Sequence, residues 1–519
     1  MIVELIDQFC RHQCDGEMPR LLAREEGPMS DYNIPHADST AQTYAAERSA
    51  CWQAAAKHRE RGQKRLHVHY QSYLGRLYRF LVPEGLRILE LGCAEGNLLA
   101  ALKPACGVGV DFTPAMLEIA QNRHPELHYI ACDALHLHRG MNLALLGEPF
   151  DVIILSDFVN DAWDVLELLK HCKQFCSADT RIITNFHSHL WEHPFRLLQK
   201  TGAVTTRLTQ NWLTPDDMTN LFSLAGFKVI RSFDEYLFPF SVPVLETFCN
   251  RYLAKLRPFS FLDLFHVQIA RLMPEMSNFS PSASVIIPAR NEAGNIEAAL
   301  QRTPDLGSGT EIIFVEGNST DNTWDVMQDM AHKYSHRKIK TLRQPGKGKG
   351  DAVRAGFDAA EGDILMILDA DLTMPPEALP QFYEAIAAGK AEFVNGVRMV
   401  YPQEKEAMRF SNLIGNKFFS WAFTWLLGQS IKDTLCGTKV LSKRHYRQLA
   451  ASRRYFGDFD PFGDFDLLFG AAKLNLDIVD LPVRYRERTY GETNISRWRD
   501  GWILLRMVCF AARRIKFVP

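Results

Sequence analysis

Two aspartates, Asp369 and Asp371, follow the apolar run "ILMIL" in the second half of this 519-residue chain. The run predicts a buried strand, so both carboxylates leave the sheet at the strand's end. Carboxylate oxygens at this spacing suit a hard divalent cation, which can neutralise a bound diphosphate. Alternatively, the two residues are solvated loop acids or cap a helix ahead of Pro375.

Other strand ends in the same half also carry polar residues. "SVIIPARNE" ends in Arg290, Asn291 and Glu292, and "EIIFVEGNS" ends in Glu316 and Asn318. Because the carboxyl ends of parallel strands meet at one edge of a sheet, we expect these side chains to line a common ligand site with the two aspartates.

A basic, glycine-rich turn, "PGKGKGDAVRAG", lies between these strands. It is not a Walker loop, because no Ser or Thr follows the lysine at the required position. Lys347, Lys349 and Arg354 are expected to frame a nucleotide or acceptor phosphate, unless the turn is simply a solvated basic loop.

The first half contains a glycine turn, "LELGCAEGN", between a predicted strand and a helix. Gly92 and Gly96 allow the backbone to approach a ligand closely at the helix N-terminus. The next strand ends in Asp111, placed to accept hydrogen bonds from ribose hydroxyls, and the third ends near Asp133, placed to meet an adenine amino group. Three successive strand ends therefore indicate a nucleoside-type ligand.

A fourth strand, "FDVIILS", leads into Ser156, Asp157 and Asn160. These residues are candidates to touch a cofactor or to orient an acceptor. Equally, they could cap the helix predicted over 161–173.

Three histidines, His187, His189 and His193, lie near the end of the fifth strand. The first two would share one face of an extended strand, which makes a metal site conceivable. The alternative is that they are hydrogen-bonded locally or line a substrate pocket.

The elements that must position these residues alternate between strand and helix twice along the chain, which predicts an α/β fold with two tandem domains. We expect an N-terminal extension (1–49), a first domain (50–236), a connecting segment (237–282), a second domain (283–500) and a basic amphipathic helix (501–519).

The composition is that of an ordinary globular protein, with 46% hydrophobic and 23% charged residues and a net charge of −2. That charge gives no reason to expect a nucleic-acid partner. The eleven cysteines form no CxxC pair, so we expect reduced thiols. No signal peptide and no membrane-spanning stretch is evident, which predicts a cytoplasmic protein.

Residues 50–235 resemble a class I S-adenosylmethionine-dependent methyltransferase with a Rossmann-like sheet, because "ELGCAEG" is similar to that family's E-x-G-x-G-x-G. Ala94 departs from the pattern at the middle glycine. The resemblance implies that S-adenosyl-L-methionine is bound by a set of residues at the strand ends: Glu90, Gly92, Gly96, Asp111, Asp133 and Ser156.

From residue 284 to about 500 the chain resembles family 2 glycosyltransferases with a GT-A fold, and within them the dolichol-phosphate mannosyltransferase branch. "SVIIPARNE", "EIIFVEGNSTDNT", "GKGKGDAVRAGF" and "ILDADLTMPPE" carry this resemblance. It implies inverting sugar transfer, with Mn or Mg held by Asp369 and Asp371 against the donor diphosphate. The implied nucleotide-sugar site comprises Pro288, Arg290, Glu292, Glu316, Lys349 and Asp369.

One departure affects the donor base. The family's usual V-D-D-G-S is "VEGNS" here, so Gly317 stands where an acid often reads uracil. The resemblance therefore implies a UDP- or GDP-sugar donor without choosing between them.

The acceptor decides which other residues act in catalysis. A hydroxyl acceptor needs a general base, for which the resemblance implies Asp464 in "FGDFD", although Asp464 could instead pair with an arginine. A polyprenyl phosphate needs cations instead, and "RYRERTYGETN" supplies Arg484, Arg486 and Arg488. Asp371, Asp464 and Arg488 are thus the predicted catalytic residues.

Two apolar stretches suggest contact with a membrane. "NKFFSWAFTWLLGQ" is too short to span a bilayer but suits an interfacial or buried helix. The last helix is basic and would bind the inner membrane surface peripherally, unless its apolar side chains pack into the core. Its basic residues are Arg506, Arg513, Arg514 and Lys516.

Taken together, these features predict a bifunctional enzyme of cell-envelope biosynthesis. It would transfer a sugar to a polyprenyl phosphate or glycan acceptor and methylate an intermediate of the same pathway. The alternative is a glycosyltransferase for a soluble hydroxyl acceptor, whose N-terminal domain is a non-catalytic cofactor-binding or assembly module.

Overall fold

The computed structural model describes most of the chain, and it divides into two compact units. The described residues are 39–60, 65–200, 210–273, 280–398, 400, 410–453, 463–486, 490 and 497–518. The N-terminal unit draws its residues from Met1–Gly75, Pro83–Ser177 and Ile183–Thr214. The C-terminal unit draws its residues from Arg76–Val82, Ala178–Ile182 and Pro215–Pro519.

The first seven strands form one mixed sheet in the order β3-β2-β1-β4-β5-β7-β6. They are β1 Arg87–Leu91, β2 Cys106–Asp111, β3 His128–Ala131, β4 Val152–Ser156, β5 Arg181–His187, β6 Phe227–Glu235 and β7 Phe265–Leu272. Strand β1 is central, parallel to both β2 and β4, and β6 pairs antiparallel with β7. The carboxyl ends of β1, β2 and β4 therefore lie side by side.

Nine α-helices accompany this sheet in the described residues. They are α1 Ser39–Glu60, α2 Arg65–Leu81, α3 Asn97–Ala101, α4 Pro114–Arg123, α5 Leu143–Leu146, α6 Val165–Cys172, α7 Glu192–Lys200, α8 Pro215–Leu224 and α9 Leu245–Arg251. Helix α1 begins at Ser39, within the segment expected to be an extension.

Helix α6 starts later than the sequence predicted. The helix expected over 161–173 begins at Val165, because Asp164 accepts a hydrogen bond from the backbone N–H of Glu167 at 2.9 Å. Asp164 is thus the N-cap. The capping alternative for Ser156, Asp157 and Asn160 is therefore wrong.

Seven later strands form a second mixed sheet in the order β10-β9-β8-β11-β13-β12-β14. They are β8 Ala283–Ala289, β9 Thr310–Glu316, β10 Lys338–Arg343, β11 Ile364–Ile367, β12 Phe393–Val397, β13 Lys439–Ser442 and β14 Ile478–Pro482. Strands β9, β8 and β11 are parallel neighbours, whereas β13 runs antiparallel between β11 and β12.

Eight α-helices surround this second sheet in the described residues. They are α10 Ile296–Arg302, α11 Thr323–Lys333, α12 Lys349–Ala359, α13 Leu379–Ala387, α14 Phe410–Leu427, α15 Lys443–Ser452, α16 Asp464–Lys473 and α17 Arg497–Ala511. A short π-helix, Ala512–Lys516, follows α17.

Strand β11 is apolar at every position because both of its faces are buried. Leu365 and Ile367 belong to one buried cluster, and Ile364 and Met366 belong to another. A strand covered on both faces cannot alternate with polar residues. The two α/β sheets confirm the predicted fold class.

The expected connecting segment, 237–282, contains more structure than the sequence predicted. It includes α9 and also β7, which pairs with β6 from Phe265 to Leu272. Within the described residues, no helix combines the length and apolar character that crossing a bilayer requires.

Candidate functional sites

The glycine turn after β1 keeps a left-handed backbone at every second residue. Gly92 has φ of +76° and Gly96 of +69°, and Ala94 between them has φ of +46°. An alanine in this region costs about 1–2 kcal/mol. Ala94, which replaces the middle glycine of the pattern, thus adopts the same left-handed conformation as the two glycines, at that cost.

Asp111, at the end of β2, holds this turn in place. Its Oδ2 accepts a hydrogen bond from the backbone N–H of Ala94 at 3.0 Å, and its Oδ1 accepts one from Thr113 at 2.8 Å. The residue is 9% exposed. Each carboxylate oxygen can accept a second hydrogen bond, so ribose hydroxyls remain suitable partners.

Glu90 lies beside the turn at the end of β1 and is buried. Its Oε2 has no hydrogen-bond partner in the described residues. Burial raises the pKa of Glu90 to about 8 and the charge of Asp111 adds to the rise, while a backbone hydrogen bond from Leu99 opposes it. An orphaned buried oxygen next to a left-handed turn fits a ligand that donates a hydrogen bond.

This raised pKa makes the free energy of unfolding depend on pH. Between about 4.5 and about 8 the folded chain keeps a proton on Glu90 that the unfolded chain has lost. The stabilisation is complete at the acidic end of that window, so the free energy of unfolding should fall as pH rises through it. In Glu90→Gln this fall, about 1.4 kcal/mol per pH unit, should disappear.

Denaturant unfolding at several pH values across the window measures this effect. The matched control is Glu84→Gln, because Glu84 is exposed and pairs with Lys103 on the surface. Parallel pH profiles for Glu90→Gln and the natural chain would show that Glu90 is not the group responsible.

The other predicted cofactor residues differ in their surroundings. Asp133 is exposed, and its Oδ1 accepts a hydrogen bond from the backbone N–H of Leu135 at 2.9 Å. Ser156 is half-buried at the end of β4, next to β1 in the sheet. Ser156 thus ends the strand beside β1, whereas Asp133 follows β3, which pairs with β2, and is the more solvated of the two.

A polar cluster forms around Asp157, beyond the end of β4. Its two carboxylate oxygens accept hydrogen bonds from the Tyr70 hydroxyl at 2.9 and 3.0 Å, and Oδ1 also accepts one from Asn185 at 2.7 Å. The His187 ring lies 3.5 Å from the same oxygen. Sequence analysis missed Tyr70, which is 87 residues away, and Asn185, whose only signal is a polar side chain inside the buried strand "RIITNFH".

The three histidines do not form a metal site. His187 is buried and stacks on Phe195 at 5.4 Å between ring centroids, whereas His189 is exposed and lies 3.4 Å from Glu192. His193 is exposed as well. His187 and His189 are thus paired locally, with Asp157 and Glu192, which was one alternative to a metal site.

One group in the described residues could supply three metal ligands, namely Asp179, Glu392 and His445 in the C-terminal unit. Arg181 binds both oxygens of Glu392 at 2.6 and 2.7 Å, and Arg444 pairs with Asp179. These arginines already neutralise the two carboxylates. The group is therefore a buried ion-pair network that needs no metal for charge balance.

In the C-terminal unit, the ends of β8, β9 and β11 meet as predicted. Ala289 is paired with Glu316, and the backbone N–H of Leu368 donates to the oxygen of Ile286 at 3.0 Å. Arg290 and Asn291, which follow β8, therefore lie beside Gly317, which follows β9, at the same edge of the sheet.

Two predicted donor-site carboxylates shape the loops at this edge. Glu292 Oε2 accepts a hydrogen bond from Asn295 at 2.7 Å, and Glu316 accepts one from the backbone N–H of Ser319. Both glutamates are buried, whereas Arg290 is exposed and Pro288 is half-buried. The glutamates thus fix the loop backbones that surround the site.

Asp369 is paired with Lys349, the first residue of α12, at 2.5 Å. Burial raises the pKa of Asp369, but Lys349, with Lys439 and Arg398, outweighs it and holds the pKa below its usual range. Although the surroundings are crowded, the side chain is 30% exposed. Asp369 is therefore ionised and accessible from the edge of the sheet.

The Asp371 carboxylate accepts hydrogen bonds from its own loop. Its Oδ1 accepts hydrogen bonds from the backbone N–H and the hydroxyl of Thr373, at 3.1 and 2.8 Å. The backbone oxygen of Thr373 in turn accepts one from the backbone N–H of Arg486 at 2.8 Å. This chain of contacts brings the predicted acceptor segment next to the aspartate pair.

The segment "DTLCGTK" completes the site through residues that sequence analysis did not single out. Asp433 is fully buried and forms a bidentate pair with Arg398, at 2.7 and 2.9 Å. The Arg398 guanidinium lies 5.2 Å from the ring centroid of Tyr485. This network fixes Arg398 close enough to Asp369 to lower its pKa.

Gly437 in this segment is pressed against the aspartate–lysine pair. A Cβ atom there would lie closer than 3.0 Å to Asp369 Oδ2 and to Lys349 Nζ. Gly437→Ala should therefore displace the pair. The sugar transfer that the sequence resemblance implies should slow about 100-fold, because displacements of about 1 Å cost that much. Initial rates at saturating donor measure the effect.

Gly309→Ala is the matched control, since a Cβ at Gly309 meets nothing within 4 Å. Its sugar-transfer rate should equal that of the natural chain. Equal rates for Gly437→Ala would contradict the tight packing around Asp369.

The predicted acceptor residues are only partly within the described residues. Asp464 opens α16, and Gly463 before it packs directly against the backbone of Gly350 in α12. The side chain of Asp464 and all of Arg488 lie outside the described residues. Asp466 pairs with Arg453 at 2.9 Å.

The basic residues near this edge are accessible to a ligand. Lys347, Arg484 and Arg486 are exposed, and Arg354 is half-buried. Of these four residues, Arg486 contacts the loop that carries Asp371, through its backbone N–H. Exposed cations beside that loop would suit a phosphate-bearing ligand.

Two family models match separate parts of the chain, one in each half. Residues 65–232 match the family described as "Methyltransferase domain", and residues 284–451 match "Glycosyl transferase family 2". Both sets of motifs identified in the sequence fall within or beside the matched residues.

Curated relatives match the C-terminal half. A dolichol-phosphate mannosyltransferase of Pyrococcus furiosus is 40% identical over 218 residues, which is 41% of this chain and 59% of the relative. An undecaprenyl-phosphate 4-deoxy-4-formamido-L-arabinose transferase of Edwardsiella ictaluri is 34% identical over 214 residues, 40% of this chain and 62% of the relative. The chain thus spans about three fifths of the length of each.

Solved structures align with each half at low scores. Magnesium protoporphyrin IX methyltransferase from Synechocystis, bound to SAH, is 15% identical over 44% of this chain and 99% of its own, with a TM-score of 0.32. Glucosyl-3-phosphoglycerate synthase from Mycobacterium tuberculosis is 20% identical over 45% of this chain and 80% of its own, with a TM-score of 0.33.

Proposed function

We propose that this chain, which carries a methyltransferase domain and a family 2 glycosyltransferase domain, is a bifunctional enzyme of cell-envelope biosynthesis. It transfers a sugar from a UDP- or GDP-sugar to a polyprenyl phosphate or envelope glycolipid, and it methylates an intermediate of the same pathway. The observation that carries the proposal is the meeting of Asp369, Asp371 and Lys349 at the ends of parallel strands.

Asp369 and Asp371 fit a divalent cation. Both offer carboxylate oxygens, the donors that Mg and Mn prefer, and Asp369 is ionised. When bound, the ion would supply positive charge against the diphosphate of the donor. Lys349 adds a second positive charge at the same point, so the protein itself stabilises negative charge as the nucleoside diphosphate leaves.

The acceptor is proposed from charge and from the names of relatives. Two relatives are transferases named for dolichol phosphate and undecaprenyl phosphate. An anionic acceptor needs cations rather than a base, and Arg484 and Arg486 are exposed next to the aspartate loop. Arg488 would extend this group. An enzyme with such an acceptor works at the inner face of the cell membrane.

In the N-terminal unit, the proposed S-adenosyl-L-methionine site consists of the turn and the strand ends around it, namely Glu90, Gly92, Gly96, Asp111, Asp133 and Ser156. Bound there, the cofactor would supply an activated methyl group. Asp111 fixes the turn, and Glu90 leaves one buried oxygen for a hydrogen-bond donor. The cluster around Asp157 would orient the methyl acceptor beyond β4.

A labelled-transfer assay tests the sugar activity. Purified protein is incubated with Mn²⁺, a panel of labelled UDP- and GDP-sugars and a bacterial lipid extract, and the products are partitioned into organic solvent. We expect label in the organic phase that chelation of the metal abolishes. Label confined to the aqueous phase, or none, would overturn the lipid acceptor.

A second candidate acceptor is a soluble hydroxyl compound. It is favoured by one observation, the contact of Gly463 with Gly350, which brings the start of α16 and hence Asp464 to the helix that carries Lys349. Asp464→Asn separates the two. Transfer to a phosphate should survive this change, whereas transfer to an alcohol should lose its general base.

A further inference from the structure

The segment between β6 and β7 exposes a concentration of apolar side chains. Of the 24 large hydrophobic residues that are exposed in the described part of the chain, ten lie between residues 240 and 262. Val244 is 82% exposed and Phe261 58%. These ten residues, called here the 240–262 surface, fall outside both family matches. Single exposed hydrophobics are ordinary, but a run of ten in 23 residues marks an interaction site.

The segment that carries the 240–262 surface packs against α14 and against Phe517 near the end of the chain. The indole N–H of Trp425, in α14, donates to the backbone oxygen of Lys255 at 2.9 Å. Arg251 donates to the backbone oxygen of Phe517 at 2.9 Å, and the rings of Tyr252 and Phe517 lie 5.3 Å apart. The segment, α14 and the end of the chain therefore form one packed group.

Helices α14 and α17 expose apolar residues of their own. On α14, Phe418 is 48% and Trp421 67% exposed, and on α17 Trp502 is 62% exposed. Other residues of α17, such as Leu504 and Met507, are buried in the core. Helix α17 thus has one face packed in the core and another face exposed.

Charges around these exposed residues are predominantly positive. Lys417, Arg257, Arg506, Arg513 and Arg514 are all exposed. The only acidic residue in 240–262 is Glu246, and Asp263, which follows the range, is buried. The sequence of α14, "FSNLIGNKFFSWAFTWLL", contains no acidic residue. Exposed aromatic and aliphatic side chains with a basic rim are the pattern of a surface that inserts shallowly among anionic lipids.

We propose that the 240–262 surface, with the exposed faces of α14 and α17, docks this enzyme onto the interfacial region of an anionic lipid bilayer. The choice of a bilayer as partner rests in part on the proposed polyprenyl phosphate acceptor. Docking would hold the glycosyltransferase unit at the membrane that contains this acceptor. A second copy of the chain is the competing occupant.

The test is co-sedimentation of the full chain with vesicles, without donor or acceptor. Vesicles of phosphatidylcholine with phosphatidylglycerol should bind the natural chain, and pure phosphatidylcholine vesicles should bind it more weakly. The variant Val244→Ser/Phe248→Ser/Phe261→Ser should bind at least about tenfold more weakly. All three residues are exposed, so the fold should persist, which circular dichroism checks.

The matched control is Leu143→Ser/Leu190→Ser/Leu224→Ser, which removes three exposed leucines elsewhere and should leave binding unchanged. Equal loss in both triple variants, or no vesicle binding by the natural chain, overturns the proposal. So does a dimer in analytical ultracentrifugation that only the first variant dissociates, because the surface would then join two copies.

Sugar transfer in detergent separates this inference from the proposed function. With acceptor solubilised in detergent, the first variant should keep the natural transfer rate while it fails to bind vesicles. Vesicle binding without any transfer in detergent would leave docking intact and overturn the proposed sugar activity instead.

Discussion

Asp371→Asn should slow sugar transfer about 10³-fold while methyl transfer continues at its natural rate. Asparagine has the same shape and still accepts the hydrogen bonds from Thr373 through its Oδ1. What it lacks is the negative charge that would hold a divalent ion against the diphosphate. Loss of one preorganised charge at a leaving group costs about this much in rate. Initial rates over a range of Mn²⁺ concentrations measure the effect.

Asp363→Asn is the control for this variant. Asp363 precedes β11 at the opposite end of the strand and accepts hydrogen bonds from Ser282 at 2.7 and 2.9 Å. It should leave sugar transfer unchanged. A near-natural rate for Asp371→Asn would instead mean that the aspartate pair are loop acids, the alternative raised by the sequence.

Asp111→Asn should weaken S-adenosyl-L-methionine binding about 100-fold and abolish methyl transfer, with sugar transfer preserved. Both carboxylate oxygens of Asp111 accept backbone N–H groups, from Ala94 and Thr113. The amide of asparagine would direct an N–H group at one of these donors. A buried donor left without an acceptor costs about 1–3 kcal/mol, and the turn would lose its anchor. Calorimetric titration measures the affinity.

Asp151→Asn is matched to this change. Asp151 also accepts a backbone N–H, from Arg87 at 2.8 Å, but at the other end of β1. It should bind the cofactor normally. If Asp111→Asn leaves the methylated product unchanged, the N-terminal unit is a binding or assembly module and not a second catalytic domain.

The parts of the fold that could be predicted are those encoded locally. Strand β11 is apolar at every position because both faces are buried, and its end is marked by Asp369. Strand β7 was missed because its partner β6 lies about 40 residues earlier, across a segment rich in proline and aromatics. Antiparallel pairing at that distance leaves no local signal. The start of α6 was misplaced because "SDFVNDAWD" offers several capping residues and only the structure selects Asp164.

The candidate sites show the same division. Strand-end acids such as Asp111 could be identified from their position alone. Tyr70 and Arg398 could not, since tertiary packing brings them from distant parts of the chain. Gly437 was visible in "DTLCGTK", but the reason for glycine there is the Asp369–Lys349 pair behind it. Sequence can thus name a site's ligands more readily than the residues that hold them.

The antiparallel pairing of β6 with β7 bears on any attempt to separate the two activities. A fragment that stops at residue 236, where the methyltransferase resemblance fades, would keep β6 but discard the strand that pairs with it from Phe227 to Glu235. Its exposed backbone groups would invite aggregation. Cleavage after Leu272 keeps this hairpin whole. The segment between the two family matches is thus not a neutral spacer, because it supplies β7 to the first seven-stranded sheet.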